Sequence, residues 1–167
     1  LDVFNQYFNE WMIDLMEYKG GKEKFIHYLS RIDNDNIKNQ KLVNMERILY
    51  AFKNDTIYTY ITQVFIDLFV IPIKKLVNDN PKDKLNDDGS SFWTGIRRFP
   101  QIIKLSHDNP FLLEFIYNYG QLFHKCLNKG PFTIDSKSLS QIDFSKVIRD
   151  MDGEQVATAE LIEKIFS

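Results

Sequence analysis

The stretch that decides the fold runs from Ile57 to Phe69 and reads IYTYITQVFIDLF. Its large apolar residues recur at steps of three and four, at Ile57, Ile61, Val64, Phe65, Leu68 and Phe69. This spacing predicts a helix that buries one face against other helices. Asp55 stands where an N-cap is expected, so the helix should begin near Thr56. Pro72 should kink it or begin a new helix that ends near Asn78, because proline lacks the backbone donor.

The same apolar spacing predicts five more helices on either side of this stretch. They run from Val3 to Met16, Glu23 to Ile32, Ile37 to Phe52, Pro110 to Leu127 and Val156 to Phe166. Gly20-Gly21 should end the first of them, and Gly130 should close the fourth. Asn109 suits the N-cap of that fourth helix, since a proline follows it at the first helical position. Gly120 inside the same helix suggests a close packing contact.

These elements predict an all-α fold: a single helical domain over residues 1–167, with an irregular central loop that includes Asn80 to Ser91. The core should cover residues 1–130, and residues 131–167 should form an extended segment plus a terminal helix. A weak alternation from Pro131 to Phe144 leaves room for a small extended patch there. The stretch from Asp152 to Gln155 resembles a capping box that would open the terminal helix.

Composition narrows the function classes. Hydrophobic residues make up 44% of the 167-residue chain, which favours a packed core over disorder. A net charge of −2 without a basic tract argues against nucleic-acid binding. The most apolar run, residues 64–73, is far shorter than the roughly 20 residues that a membrane span takes. The single cysteine, Cys126, forms no internal disulfide, which favours a reducing compartment.

Residues capable of chemistry occur without the partners that catalysis or metal binding requires. Cys126 has no base beside it, because His124, two positions earlier, points to another face of the helix. We interpret the thiol as a small core side chain. His27 and His107 show no metal-ligand spacing, and the acidic turn at 86–89 lacks the glutamate that closes a calcium loop. With no glycine-rich phosphate loop either, we predict no catalytic, cofactor-binding or metal-binding residue in this chain.

The densest motif follows the acidic turn, where residues 91–100 read SFWTGIRRFP. Phe92 and Trp93 are large apolar side chains that need burial, and we expect Trp93 to be a peg against the helices. Arg97 and Arg98 leave two interpretations open. They contact an anionic surface or a carboxylate of a partner, or they are structural and stack on Trp93 or Phe99 or bond to backbone carbonyls.

This motif resembles the signature Phe-Trp-Ser/Thr-Gly-x-Lys/Arg-Arg-x-Pro of the second catalytic-cysteine half-domain of ubiquitin-activating enzymes. The residues that carry the resemblance are Phe92, Trp93, Thr94, Gly95, Arg97, Arg98 and Pro100. The likeness extends from the Asn-x-Pro-x-Asp segment before the signature to the helix that ends near Leu127. It departs at Ser106, where the family pattern has an aspartate.

The resemblance implies a role within a larger enzyme. Such an enzyme adenylates the C-terminus of ubiquitin with ATP and magnesium in a separate domain. It then forms a cysteine thioester and passes ubiquitin to a conjugating enzyme. The family's cysteine lies in a Cys-Thr-Leu motif upstream of the region that matches Leu1 to Tyr18, and no Cys-Thr-Leu occurs here. This chain, which opens on Leu1 rather than Met, would be a piece that positions the cysteine segment and is inactive by itself.

The resemblance also implies the partners and the setting. The partners would be ubiquitin, ubiquitin-conjugating enzymes and the adenylation domains of the same chain, in the cytoplasm and nucleus, with no nucleic acid and no membrane. The alternative is a helical protein-interaction module with no enzymatic parent. The full reading frame discriminates between them, since only the enzyme carries Cys-Thr-Leu shortly upstream and adenylation segments on both sides.

Overall fold

Helices make up 65% of the computed structural model, which describes residues 5–147 and 157–167. In chain order, the α-helices α1 to α9 are Trp11–Lys19, Lys22–Ser30, Asp35–Lys53, Ile57–Phe65, Ile71–Asp79, Pro110–Cys126, Ser136–Ser140, Phe144–Val147 and Thr158–Phe166. Two π-helical segments complete them: Asn5–Glu10 leads into α1, and Ile66–Val70 joins α4 to α5. Within the described ranges, β pairing is limited to one isolated bridge, between Leu85 and Ser91. The predicted all-α fold is confirmed.

Capping residues fix several helix ends where the sequence predicts them. The Asn109 side chain accepts hydrogen bonds from the amides of Phe111 and Leu112, at 3.0 and 3.1 Å, and so begins α6. Gly20 follows the last residue of α1 and caps it. Helix α3 begins two residues earlier than expected, at Asp35, because Asn34 caps it by accepting from the amides two and three residues ahead.

Two predicted helix ends are wrong in detail. Asp55 does not cap α4: its φ of 54° places it in the left-handed region, and Thr56 precedes the helix without a side-chain cap bond. Helix α6 ends at Cys126, and Asn128, with a φ of 52°, takes the left-handed position that Gly130 was expected to fill. Asparagine tolerates this region better than most residues because its short polar side chain bonds locally.

Helix α4 lies at the centre of the packing and contacts α3, α6 and α8. Six of its nine residues are buried: Ile57, Tyr58, Ile61, Thr62, Val64 and Phe65. The Thr62 hydroxyl donates to the Tyr58 carbonyl at 2.8 Å, so the one small polar side chain in this face is satisfied. Helix α1 contacts α2, α3 and α6 around the same core.

The described residues after 130 contribute to the same core. Phe132, Ile142 and Val147 are buried, and so are Leu161 and Ile165 of α9, which packs along α3. Between Pro131 and Phe144 the structure has the short helix α7 where a small extended patch was allowed for, since Asp135 caps that turn through the Lys137 and Ser138 amides. The predicted capping box, Asp152 to Gln155, lies outside the described residues.

Residues 71–102 leave this core and return to it, and we call them the arm. Helix α5 opens the arm and buries none of its nine residues. The chain then runs without further helices until Ile103 and Leu105 pack against the core again. The part of the chain that the structure describes has no helix with the length and apolar content needed to cross a bilayer. The arm carries the whole signature motif, so its construction decides what the motif can do.

Candidate functional site: the signature loop

The acidic turn that precedes the signature is the end of a small hairpin. The Asn86 amide donates to the Ser90 carbonyl at 2.8 Å, and the Phe92 amide donates to the Lys84 carbonyl at 2.9 Å. The Asp88 carboxylate accepts from the amide of Ser90 at 2.9 Å and from its hydroxyl at 2.6 Å. These donors lower the pKa of Asp88 below its ordinary value. The carboxylate therefore holds the turn in place.

Trp93 fastens the signature to the end of α5. Its indole Nε1 donates to the carbonyls of Asn80 and Pro81, at 2.9 and 3.1 Å. Its ring meets Phe92 and Phe99 edge to face, with centroids 5.0 and 5.2 Å apart. The side chain is only half-buried and lies outside the core cluster of the helices. The expected peg against the helices is therefore wrong: Trp93 anchors the arm to itself.

The tip of the signature is a tight exposed turn. The Arg97 amide donates to the Thr94 carbonyl at 3.1 Å, and Gly95 between them has a φ of 60° that favours glycine. Ile96 is 100% exposed. Pro100, at the other end of the motif, is half-buried. The motif thus has an inner, aromatic half and an outer, solvent-facing tip.

The two arginines have different surroundings. The Arg97 guanidinium lies over the Phe92 ring, 5.1 Å from its centroid, so the stacking interpretation holds for this residue but with Phe92 as its platform. Lys84 Nζ lies at the same distance from that ring. Arg98 is exposed, and among the described residues its side chain has no hydrogen-bond or ion-pair partner.

Cys126 lies on α6 rather than in the signature loop, half-buried against the core. Burial raises the pKa of its thiol, against the smaller opposite effects of Lys19 and Lys125. Lys19 Nζ donates to the Cys126 carbonyl at 3.0 Å, so its main contact there is with the backbone. A thiol with a raised pKa stays protonated and is a weak nucleophile.

The three histidines lie apart and each has a structural partner. His107 Nε2 donates to the Ile142 carbonyl at 2.9 Å, and His124 Nδ1 donates to the Gly130 carbonyl at 2.7 Å. His27 Nε2 accepts from the Arg31 guanidinium at 3.0 Å. Within residues 5–147 and 157–167, no three His, Cys, Asp or Glu side chains come together as metal ligands.

Sequence reasoning missed one charged cluster inside the body. Asp14 is 3% exposed, and its Oδ1 accepts from the Tyr28 hydroxyl at 2.6 Å and from Lys41 Nζ at 3.2 Å. Lys41 also lies 3.2 Å from Glu10. Burial raises the pKa of Asp14, and it raises that of Tyr28 as well. The cluster links α1, α2 and α3. Its members lie far apart in the sequence, so no spacing pattern predicted it.

Two surface clefts lie outside the signature. One, of about 390 Å³, lies between α3 and the beginning of α4 and is lined by Glu46, Arg47, Tyr50 and Tyr60. The other, of about 210 Å³, is lined by Phe52, His124 and Phe132 among others. Neither cleft includes a residue of the signature or brings together an acid–base pair with a nucleophile, so neither forms an evident catalytic site.

Comparison with known proteins points to one family. The family described as the SCCH domain of ubiquitin-activating enzymes matches residues 1–164. Ubiquitin-activating enzyme E1 1 of Arabidopsis thaliana is 38% identical over 52 residues, 31% of this chain and 5% of that protein. Ubiquitin-like modifier-activating enzyme 1 of Dictyostelium discoideum is 36% identical over 64 residues, 34% of this chain and 6% of that protein. The matched stretch therefore covers only a small part of these curated relatives.

Proposed function

This chain belongs to the SCCH-domain family of ubiquitin-activating enzymes, and we propose that it is the body of the catalytic-cysteine half-domain in such an enzyme. The parent enzyme would form a ubiquitin adenylate with ATP, then a cysteine thioester, and would transfer ubiquitin to a conjugating enzyme. The work of this chain would be positioning. It holds the cysteine segment on a rigid helical body and orients it for acyl transfer, and orientation of this kind is a large catalytic term.

The family match over nearly the whole chain carries this proposal. It supports an enzymatic parent, and it therefore argues against the alternative of an interaction module with no such parent. The chain supplies no glycine-rich loop for phosphates, and its described residues group no carboxylates for magnesium. We therefore assign ATP and magnesium to the adenylation domains of the parent and derive no step through them here.

The state of Cys126 supports a division of labour between this chain and the cysteine segment. A nucleophile for acyl transfer needs a lowered pKa or an adjacent base. Cys126 has a pKa raised by burial, and Lys19 beside it donates to a backbone carbonyl. We propose that the thioester forms on a cysteine upstream of residue 1 and that Cys126 is a packing residue. Ubiquitin and the conjugating enzyme then meet the parent enzyme near that upstream cysteine, in the cytoplasm and nucleus.

The test is thioester formation on a non-reducing gel, with thiol sensitivity as the control. The isolated chain should form no adduct with ubiquitin and MgATP. In the parent enzyme, Cys126→Ala should keep the adduct near the parent level, because a buried thiol acts as a small hydrophobe. Replacing the upstream cysteine should abolish the adduct and leave adenylate formation intact. Loss of the adduct in a folded Cys126→Ala enzyme would make Cys126 the nucleophile and overturn the proposal.

A further inference from the structure

The signature loop presents two arginines that none of the described carboxylates pairs with. Resting on the proposed function, we propose that Arg97 and Arg98 form a receptor for paired carboxylates on an acidic segment of a protein partner in ubiquitin transfer. The two residues divide the work: Phe92 fixes Arg97 in place, and Arg98 extends the positive surface beside it. This assigns the outer tip of the signature to recognition and its aromatic half to support.

Arg97 is prepared for a carboxylate before the partner arrives. Its guanidinium lies 5.1 Å from the Phe92 centroid, and Phe92 is itself fixed by its backbone bond to Lys84 and its contact with Trp93. Stacking uses the face of a guanidinium and leaves its N–H groups at the edge available. Those N–H groups donate to no acceptor among the described residues, and Arg97 is exposed. A fork held in this way loses little entropy when it binds a carboxylate.

Positive charge exceeds negative charge in the arm. Lys84 Nζ lies over the same Phe92 ring, and its hydrogen bonds go to neutral oxygens, the Asn80 side chain at 2.8 Å and the Asp79 carbonyl at 3.3 Å. The Asp88 carboxylate accepts its hydrogen bonds from Ser90 and forms no ion pair with these cations among the described residues. The arm carries six Lys or Arg against four Asp, while the whole chain has a net charge of −2. An anionic partner would relieve the repulsion between these cations.

A protein segment fits this loop better than a nucleic acid. A nucleic-acid site needs a basic stripe that follows the phosphates, and this chain is acidic overall with no basic tract. Ile96, 100% exposed beside Arg97, offers an apolar contact that a side chain of a protein partner can cover. Paired carboxylates match the planar fork of arginine in two parallel hydrogen bonds.

The test is fluorescence anisotropy of the 167-residue chain with a labelled peptide of alternating Glu and Gly, at physiological ionic strength. Arg97→Gln combined with Arg98→Gln should weaken binding about tenfold, the cost of about one charge-assisted pair. Lys53→Gln combined with Lys125→Gln removes the same charge from exposed sites on the body and should change binding less than about twofold. Phe92→Leu should weaken binding severalfold with every arginine in place.

Three outcomes would overturn the proposal. The first is equal weakening by the arginine pair and the lysine pair, which means non-specific attraction. The second is equal binding of a peptide of alternating Gln and Gly. The third is tighter binding of a short RNA than of the acidic peptide, which favours a nucleic acid. Should Phe92→Leu lose its helical spectrum, the arginine pair at the exposed tip still decides the question. Thioester formation by the parent enzyme is measured separately, so a failure here leaves the proposed function standing.

Discussion

Asp14 is a carboxylate inside a helical core, where burial and its hydrogen-bond donors act in opposite directions. Burial raises its pKa above the ordinary 3.8, and the Tyr28 hydroxyl and Lys41 offset only part of that effect. A raised folded-state pKa contributes stability that is fully present below pH 3.8 and is lost as pH rises through the folded value. The Tyr28 hydroxyl and Lys41 Nζ both donate to its carboxyl oxygens, which is why this polar side chain is tolerated among apolar ones.

We therefore expect the unmodified chain to lose stability relative to the Asp14→Asn variant as pH rises from 3.8 through the raised pKa of Asp14. Urea unfolding at several pH values measures the difference. Asp135→Asn is the matched control with opposite sign, because bonds from Ser138 lower the pKa of Asp135. Relative to the Asp135→Asn variant, the unmodified chain should lose stability as pH falls through the folded-state pKa of Asp135. The same direction of change in both comparisons would contradict the assignment.

Trp93 allows a second prediction at the scale of one residue. The partners of Trp93 lie in the arm, so Trp93→Ala should loosen the signature loop locally. The helices should unfold at nearly the same denaturant midpoint as those of the unmodified chain. The Phe92 and Arg97 amides, bonded to Lys84 and Thr94, should exchange hydrogen faster. Trp11→Ala is the comparison: Trp11 is 2% exposed, and its removal should cost roughly 3–5 kcal/mol. Equal shifts of the denaturant midpoint in Trp93→Ala and Trp11→Ala would mean that Trp93 packs against the helices after all.

What the sequence could reveal of single residues depended on whether their partners were local. The packing of Cys126 against the core followed from its place on an apolar helix without a neighbouring base, although the side chain is half-buried rather than a full core residue. The acceptors of the Trp93 indole are backbone carbonyls of Asn80 and Pro81, which have no side-chain signal. The Asp14 contact with Lys41 joins two helices, so only the packed structure brings the pair together.

At the scale of elements, Gly120 marks the closest approach between α6 and the chain that follows it. A Cβ at this position would lie 2.5 Å from the Phe132 ring. The Gln121 side chain holds the backbone of Phe132 with two hydrogen bonds. It donates to the Phe132 carbonyl at 2.7 Å and accepts from the Phe132 amide at 3.1 Å. The backbone that carries the ring is therefore fixed beside α6. The close contact that the sequence suggested is confirmed.

In Gly120→Ala, overpacking should cost about 1–3 kcal/mol. The opposing gain in helix propensity is about 1 kcal/mol, so we expect a net destabilisation of up to about 2 kcal/mol. Thermal unfolding measures the change. Gly130→Ala, where a Cβ meets nothing within 4 Å, should be close to neutral. Combining Gly120→Ala with Phe132→Leu should recover part of the loss, and a cycle without coupling would contradict the contact.

Helix positions were predictable where caps and apolar stripes agreed. Asn109 with Pro110 gave the beginning of α6, and Gly20 gave the end of α1. The π-helical segment Ile66–Val70 could not be predicted, since one extra residue in a turn leaves the apolar spacing almost unchanged. Asp55 failed as a cap because its own backbone takes a left-handed turn.

At the scale of the molecule, α9 closes the core against α3. Leu161 and Ile165 are 2% and 6% exposed there, and the Phe166 ring lies 5.0 Å from that of Tyr18. Leu161→Ala should cost roughly 2–5 kcal/mol in urea unfolding. Glu163→Gln, which removes the exposed ion pair with Lys22, should cost less than about 1 kcal/mol. Equal small effects would mean that α9 is dispensable.

The arrangement of the whole molecule was the least accessible from sequence. Apolar stripes predicted which face of each helix is buried, and they are equally compatible with many pairings of helices. Nothing local to Leu161 indicates that α3 is its partner. The exposure of the arm was not evident from the sequence either, because α5 carries apolar residues such as Ile73 and Leu76 although it buries no residue.

The pairing of α9 with α3 has a consequence for how the chain emerges from the ribosome. Roughly 100 residues separate the two helices. At a synthesis rate of about 5–20 residues per second, α9 is made roughly 5–20 seconds after α3. During that interval part of its apolar surface is uncovered. That surface is covered only when Leu161 and Ile165 arrive at α3, so until then it is exposed to contacts with other chains.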